Sequence, residues 1–159
     1  EALALRPSAT LRVVGAGDER HLTELRAQAE ALGIAARVNF ETASRAKLPA
    51  IYAAADAVLF PVLWEEPFGI VPLEAMATGR PVVASGRGGS GEYLRDRENC
   101  LLYGPAEDPQ ALAAAIATLA DQPALRRELV TGGTETARNL GEDAFNRQVE
   151  TAVNRAVGR

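Results

Sequence analysis

The sequence predicts an α/β fold, a doubly wound parallel sheet with helices on both faces. Three observations carry that reading. Short β-rich apolar runs alternate with longer segments of helical periodicity, the pattern of βα units around a parallel sheet. Right-handed crossovers between such units place helices on both faces. The chain has 159 residues, 47% of them hydrophobic and 24% charged, enough for one domain with a proper core.

The elements follow in order. Residues 1–5 read as the last turn of a helix, and Arg6-Pro7-Ser8 as a loop. An opening at Glu1 rather than Met, in mid-unit, is expected of a fragment, with processing as the alternative. Strands are predicted over 11–14, 37–40, 57–61, 81–85 and 100–103. A helix over 19–32 aligns Leu22, Leu25, Ala29 and Leu32 on one face, with Gly33 as its stop. A second helix, 45–55, carries Leu48, Ile51, Tyr52 and Ala55 at helical spacing. A third runs over 69–79. After the last strand come helices over 108–121, 123–139 and 142–157, with Pro109 and Pro123 in first turns, where proline is tolerated. The division expected is one domain over 1–159, with a core over 11–129 and closing helices over 123–157. Ligands of such sheets bind at the carboxyl ends of the strands, here the loops after Val14, Phe40, Pro61 and Ser85.

Composition narrows the partners. A net charge of −4 argues against a broad surface for nucleic acid or anionic membrane. Cys100 is the single cysteine, so no internal disulfide forms and a reducing compartment is the simpler reading. No apolar run approaches the roughly 20 residues of a membrane-spanning helix. The expected location is cytoplasmic, with peripheral attachment of a longer protein to a membrane as the alternative. One His and one Cys make no metal-ligand cluster, so no metal is expected.

The chemistry concentrates after the third strand, in Trp64-Glu65-Glu66-Pro67-Phe68-Gly69-Ile70-Val71-Pro72-Leu73-Glu74-Ala75-Met76-Ala77. Pro72 would cost about 3 kcal/mol inside a helix but little within the first turn, so the helix is predicted to begin near Gly69. The N–H groups of Gly69, Ile70 and Val71 are then free at the positive end of the helix dipole, suited to an anion. Glu74 shares a face with Ile70, Leu73 and Ala77, where a carboxylate interrupts the apolar stripe. It sits about 7–8 Å along the axis from Gly69 and leans back toward the N-terminus. A carboxylate accepting two hydrogen bonds suits a ribose diol. Glu66 can reach the same pocket from the loop. Taken alone, Glu74 also reads as a half-exposed surface glutamate and Glu66 as a loop charge; their combination at a strand end distinguishes them.

The run Glu66-Pro-Phe-Gly-Ile-Val-x-Leu-Glu74-Ala-Met-Ala resembles the E-x7-E motif of retaining glycosyltransferases of the GT-B fold, family 4 (glycosyl transferases group 1). Leu48-Pro-Ala-Ile-Tyr-Ala-Ala-Ala-Asp56, Gly79-Arg-Pro-Val-Val-Ala-Ser-Gly-Arg-Gly-Gly89, Asn99-Cys-Leu-Leu and Asp108-Pro-Gln-Ala-Leu extend the likeness over residues 11–129. The resemblance implies the Rossmann-like, donor-binding C-terminal half of such an enzyme, lacking its first strand. It implies that Glu74 binds the ribose of a UDP-, GDP- or ADP-linked sugar, and that Glu66 contacts the sugar and positions its anomeric carbon. The backbone of Phe68, Gly69, Ile70 and Val71 would bind sugar hydroxyls and the β-phosphate. It implies no cofactor. It also implies a missing N-terminal domain supplying the acceptor site, and a missing Arg/Lys pair that neutralises the diphosphate. On that basis the chain alone is expected to be inactive and to bind donor weakly. Self-association through surface left bare is a further expectation.

Weaker features surround this core. Gly15-Ala16-Gly17 reads as a tight turn or as a donor contact through Gly15 and Gly17, and lacks the third glycine of a dinucleotide fingerprint. Arg87 could pair with phosphate or stay a solvated loop cation, and Gly88 and Gly89 could let backbone approach the donor. Thr42, in the loop 41–44, should face the base. Glu92 reads as structural; His21 is given no role. Competing readings are a nucleotide-sugar epimerase or a sugar phosphorylase of the same fold, a non-catalytic interaction module, and a nicotinamide-binding domain.

Overall fold

A computed structural model describes residues 1–156. All five predicted strands form, the first with the bounds predicted and the others trimmed or shifted by a residue or two: β1 (Leu11–Val14), β2 (Val38–Glu41), β3 (Val58–Phe60), β4 (Val82–Ala84) and β5 (Leu101–Leu102). Six α-helices accompany them: α1 (Glu19–Ala31), α2 (Leu48–Ala53), α3 (Ile70–Ala77), α4 (Pro109–Asp121), α5 (Pro123–Asn139) and α6 (Glu142–Ala156). The opening turn is a 3-10 helix, Ala2–Leu5, packed on α4. Val157, the predicted last residue of α6, lies outside the described residues.

All strand pairs are parallel, as predicted, but the ladder is broken. β1 pairs with β2, and β3, β4 and β5 pair in that order. Among the described residues no ladder joins β1 to β3. In the doubly wound order 3-2-1-4-5-6 the present strands take places 2 to 6, and the break falls at place 1.

The core lies around β4, buried on both faces as a central parallel strand must be. Val82 and Ala84 point to one side, among Ala75, Met76, Tyr93, Leu94 and Cys100. Val83 points to the other, among Leu101, Tyr103, Ala115, Leu119 and Leu129. Helix α5 packs tightly against α3. A Cβ at Gly133 would stand 2.9 Å from Met76 Cγ, and one at Gly132 would collide with the Glu98 carbonyl.

Local chemistry sets the helix ends. Asp18 caps α1, its carboxylate accepting from the Arg20 N–H at 3.2 Å. Gly33, at φ +67°, closes it in a Schellman motif, with Gly33 N–H to Glu30 and Ile34 N–H to Ala29. Gly79 ends α3 in the same way, with Arg80 N–H to Ala75. Helix α2 is shorter than predicted. Residues Arg45–Lys47 form a 3-10 turn and the α-helix begins at Leu48. Pro49 explains this: an α-helix starting at Arg45 would need a Pro49 N–H for the Arg45 carbonyl, and proline has none.

Candidate functional site

Helix α3 begins at Ile70, one residue later than predicted, because Gly69 takes φ +81° and serves as its N-cap. A side chain there would also press on Phe60 and Ser90 at 3.1–3.2 Å, so glycine is required both by conformation and by space. No side chain caps α3. Among the described residues nothing accepts a hydrogen bond from the N–H groups of Gly69, Ile70 or Val71, as expected of a first turn. Pro72, in that turn, is buried.

Glu74 is half-buried on α3, and its carboxylate is held. The Tyr52 hydroxyl, from α2, donates to Glu74 Oε2 at 2.9 Å. Burial first, then the hydrogen bond and charge of Glu74, push the Tyr52 phenol from 10.0 up to about 12. Glu66 has an aromatic donor too, Trp64 Nε1–H to Glu66 Oε2 at 3.0 Å. Among the described residues neither carboxylate has a cationic partner.

The loop carrying Glu66 rests on the loop after β4. Gly89 N–H donates to the Glu66 carbonyl at 2.6 Å. A Cβ at Gly88 would collide with the Glu66 backbone, and one at Gly89 with the Pro67 carbonyl. The close approach that these glycines permit is therefore to the protein's own backbone. Tyr93 braces the same corner: its hydroxyl donates to the Gly69 carbonyl, and its ring packs on Phe68 with centroids 5.5 Å apart. Burial, then the charges of Cys100 and Glu66, push the Tyr93 phenol upward.

Arg87 is already engaged. Its guanidinium donates to the Leu63 carbonyl at 2.7 Å and pairs with Glu107 at 3.1 Å, so a phosphate would have to displace those partners. Gly15 and Gly17 are exposed with open space around them. Thr42 lines a cavity of about 370 Å³ with Arg12, Glu41, Lys47, Ala50 and Ile51. A larger concavity, about 510 Å³, is lined by residues of α5 and α6 and by none of the predicted site residues. Leu63, Trp64, Phe68 and Ile70 are all exposed.

The structure thus gathers Glu66, Phe68, Gly69, Ile70, Val71 and Gly88 at one corner, with Glu74 about one and a half turns along α3. Sequence reasoning missed Tyr52, Trp64 and Tyr93. Tyr52 offered one signal, since a phenol on an apolar helical stripe needs a partner for its hydroxyl.

Comparison with known proteins identifies the family and the fold. The family model described as glycosyl transferases group 1 matches residues 1–136. The chain is 42% identical over 132 residues to D-inositol 3-phosphate glycosyltransferase of Salinispora tropica, covering 81% of this chain and 26% of that protein. It is 40% identical over 132 residues to phosphatidyl-myo-inositol mannosyltransferase of Mycobacterium leprae, covering 80% and 33%. Among solved structures, sucrose-phosphate synthase of Thermosynechococcus elongatus superposes with TM-score 0.87 at 30% identity, over 99% of this chain and 41% of that one. HepE of Anabaena in complex with UDP-glucose gives 0.86 at 32%, over 96% and 43%. The chain therefore spans less than half the length of each of these relatives.

Proposed function

The chain belongs to the glycosyl transferases group 1 family, and we propose that it is the donor half of a retaining, two-domain hexosyltransferase. The observation that carries this reading is Glu74, a half-buried carboxylate on α3 facing no cation, with the unpartnered amides of Gly69, Ile70 and Val71 at the head of the same helix. Glu74 takes the ribose diol of a nucleoside-diphosphate sugar, and the amides take the β-phosphate and sugar hydroxyls. Glu66 contacts the hexose and positions its anomeric carbon. Thr42 and its cavity take the base. UDP is the first nucleotide to try, because HepE, 32% identical, carries UDP-glucose.

Arg87 is committed to Leu63 and Glu107 and would have to leave them to meet a diphosphate. A partner domain and a cationic segment from a longer protein complete the site, and transfer by this chain alone is not expected. The test is an NMR titration, sensitive to millimolar binding, with UDP, GDP, ADP and NAD. Saturation by one nucleoside diphosphate, weakened at least tenfold in Glu74→Ala, supports the reading. Binding of NAD instead, or of none of the diphosphates, overturns it.

A further inference from the structure

We propose that Tyr52 is a positioning residue, holding the Glu74 carboxylate in the one rotamer that presents its free oxygen to the ribose. This rests on the donor reading of Glu74.

The Tyr52–Glu74 bond is, among the described residues, the only side-chain hydrogen bond joining α2 to α3, and the only one that Glu74 accepts. It occupies Oε2 and leaves Oε1 free. A glutamate side chain has several rotamers to lose when it takes a ligand. A bond formed beforehand, inside the protein, removes that loss from the binding step. The neutral phenol suits the task. A cation in its place would form an ion pair and compete with the ligand for the charge, whereas one O–H takes a single lone pair and keeps the carboxylate anionic. Burial keeps the phenol protonated far above neutral pH.

Helix α2 has a second duty that makes the link specific. Ala50 and Ile51, beside Tyr52 in sequence, line the cavity that also holds Thr42. The helix that walls the base cavity therefore also orients the carboxylate on α3. Tyr52 couples base recognition to ribose recognition through one bond.

The test compares UDP with 2′-deoxy-UDP, or the matching pair for whichever base binds, by NMR titration of wild type, Tyr52→Phe and Glu74→Gln. Wild type should prefer the ribonucleotide by about tenfold, the size of one hydrogen bond to a charged group. In Tyr52→Phe the preference should shrink to about threefold or less, while the melting temperature falls only by the few degrees that one lost hydrogen bond costs, because the ring remains. A merely structural role would lower the melting temperature and leave the preference intact, and that result overturns the proposal. Equal binding of the two nucleotides by wild type, or a full preference in Glu74→Gln, instead overturns the assignment of the ribose to Glu74. Failure of every nucleotide to bind overturns both.

Discussion

Strands β3, β4 and β5 and strands β1 and β2 stand on opposite sides of the break in the sheet, and they are held in different ways. Val82, Val83 and Ala84 are wholly buried between α3, α4 and α5. Arg12 and Val13 of β1 are exposed, Val13 by 38%. Polar groups carry much of the second side: Arg12 pairs with Glu41 across the ladder, and the Arg37 guanidinium donates to the carbonyls of Leu3, Arg6 and Ala9. Exposed ion pairs of that kind contribute little to stability. The first side is a closed core, the second a two-stranded ribbon with exposed residues. Glu66 and Glu74 follow β3 on the closed side and the Thr42 cavity lies on the other, so a ligand touching both spans the break. Helix α2 lies between them.

The comparison breaks first, if it breaks, at Leu129. This side chain is fully buried against β4, and Leu129→Ala should cost about 2–5 kcal/mol in urea unfolding. A cost under 1 kcal/mol would mean that the closed side is no tighter than the open one. Alkali gives the next largest effect. All three tyrosines and Cys100 lie beyond β2, and all are pushed up: Tyr52 and Cys100 to about 12, from 10.0 and 9.0, and Tyr93 and Tyr103 upward by burial first. A raised folded pKa means that the unfolded chain loses its proton first. The stabilisation is therefore complete below pH 9, and drains away as pH rises through 10 toward 12. The urea midpoint should fall progressively over that range; a flat profile would contradict the burial of these groups. Val13→Thr should give the smallest effect, within about 0.5 kcal/mol. A larger loss would show that β1 is covered in solution.

Much of this division could be read from the sequence, and the reasons for what could not are physical. The run Pro81-Val82-Val83-Ala84 has no polar residue, and only a strand buried on both faces reads that way. Gly33 and Gly79 marked helix ends because each must adopt a positive φ. Pro49 should have fixed the start of α2, since its missing N–H was visible; the apolar periodicity of 45–55 masked it. The break in the sheet was legible only as an absent strand, because pairing depends on which strands meet. Contacts between distant segments left no local trace. Asn99 is buried with its amide donating to the Tyr93 carbonyl and Thr136 hydroxyl, at 2.8 and 2.9 Å. Gly132 and Gly133 sit inside α5, against helix propensity, because Glu98 and Met76 leave no room for a Cβ. At the site, Glu66 and Glu74 stood out as carboxylates in the wrong company, whereas their aromatic partners looked like ordinary packing.

Trp64 is the chain's one tryptophan, 63% exposed and bonded through its indole N–H to Glu66. The molecule thus carries a single indole fluorophore, bonded to Glu66 and not to Glu74. Its emission reports on the loop at Glu66 without any label. A ligand that reaches only Glu74 would leave that emission dark to its arrival, while one that draws on Glu66 would announce itself in colour and intensity.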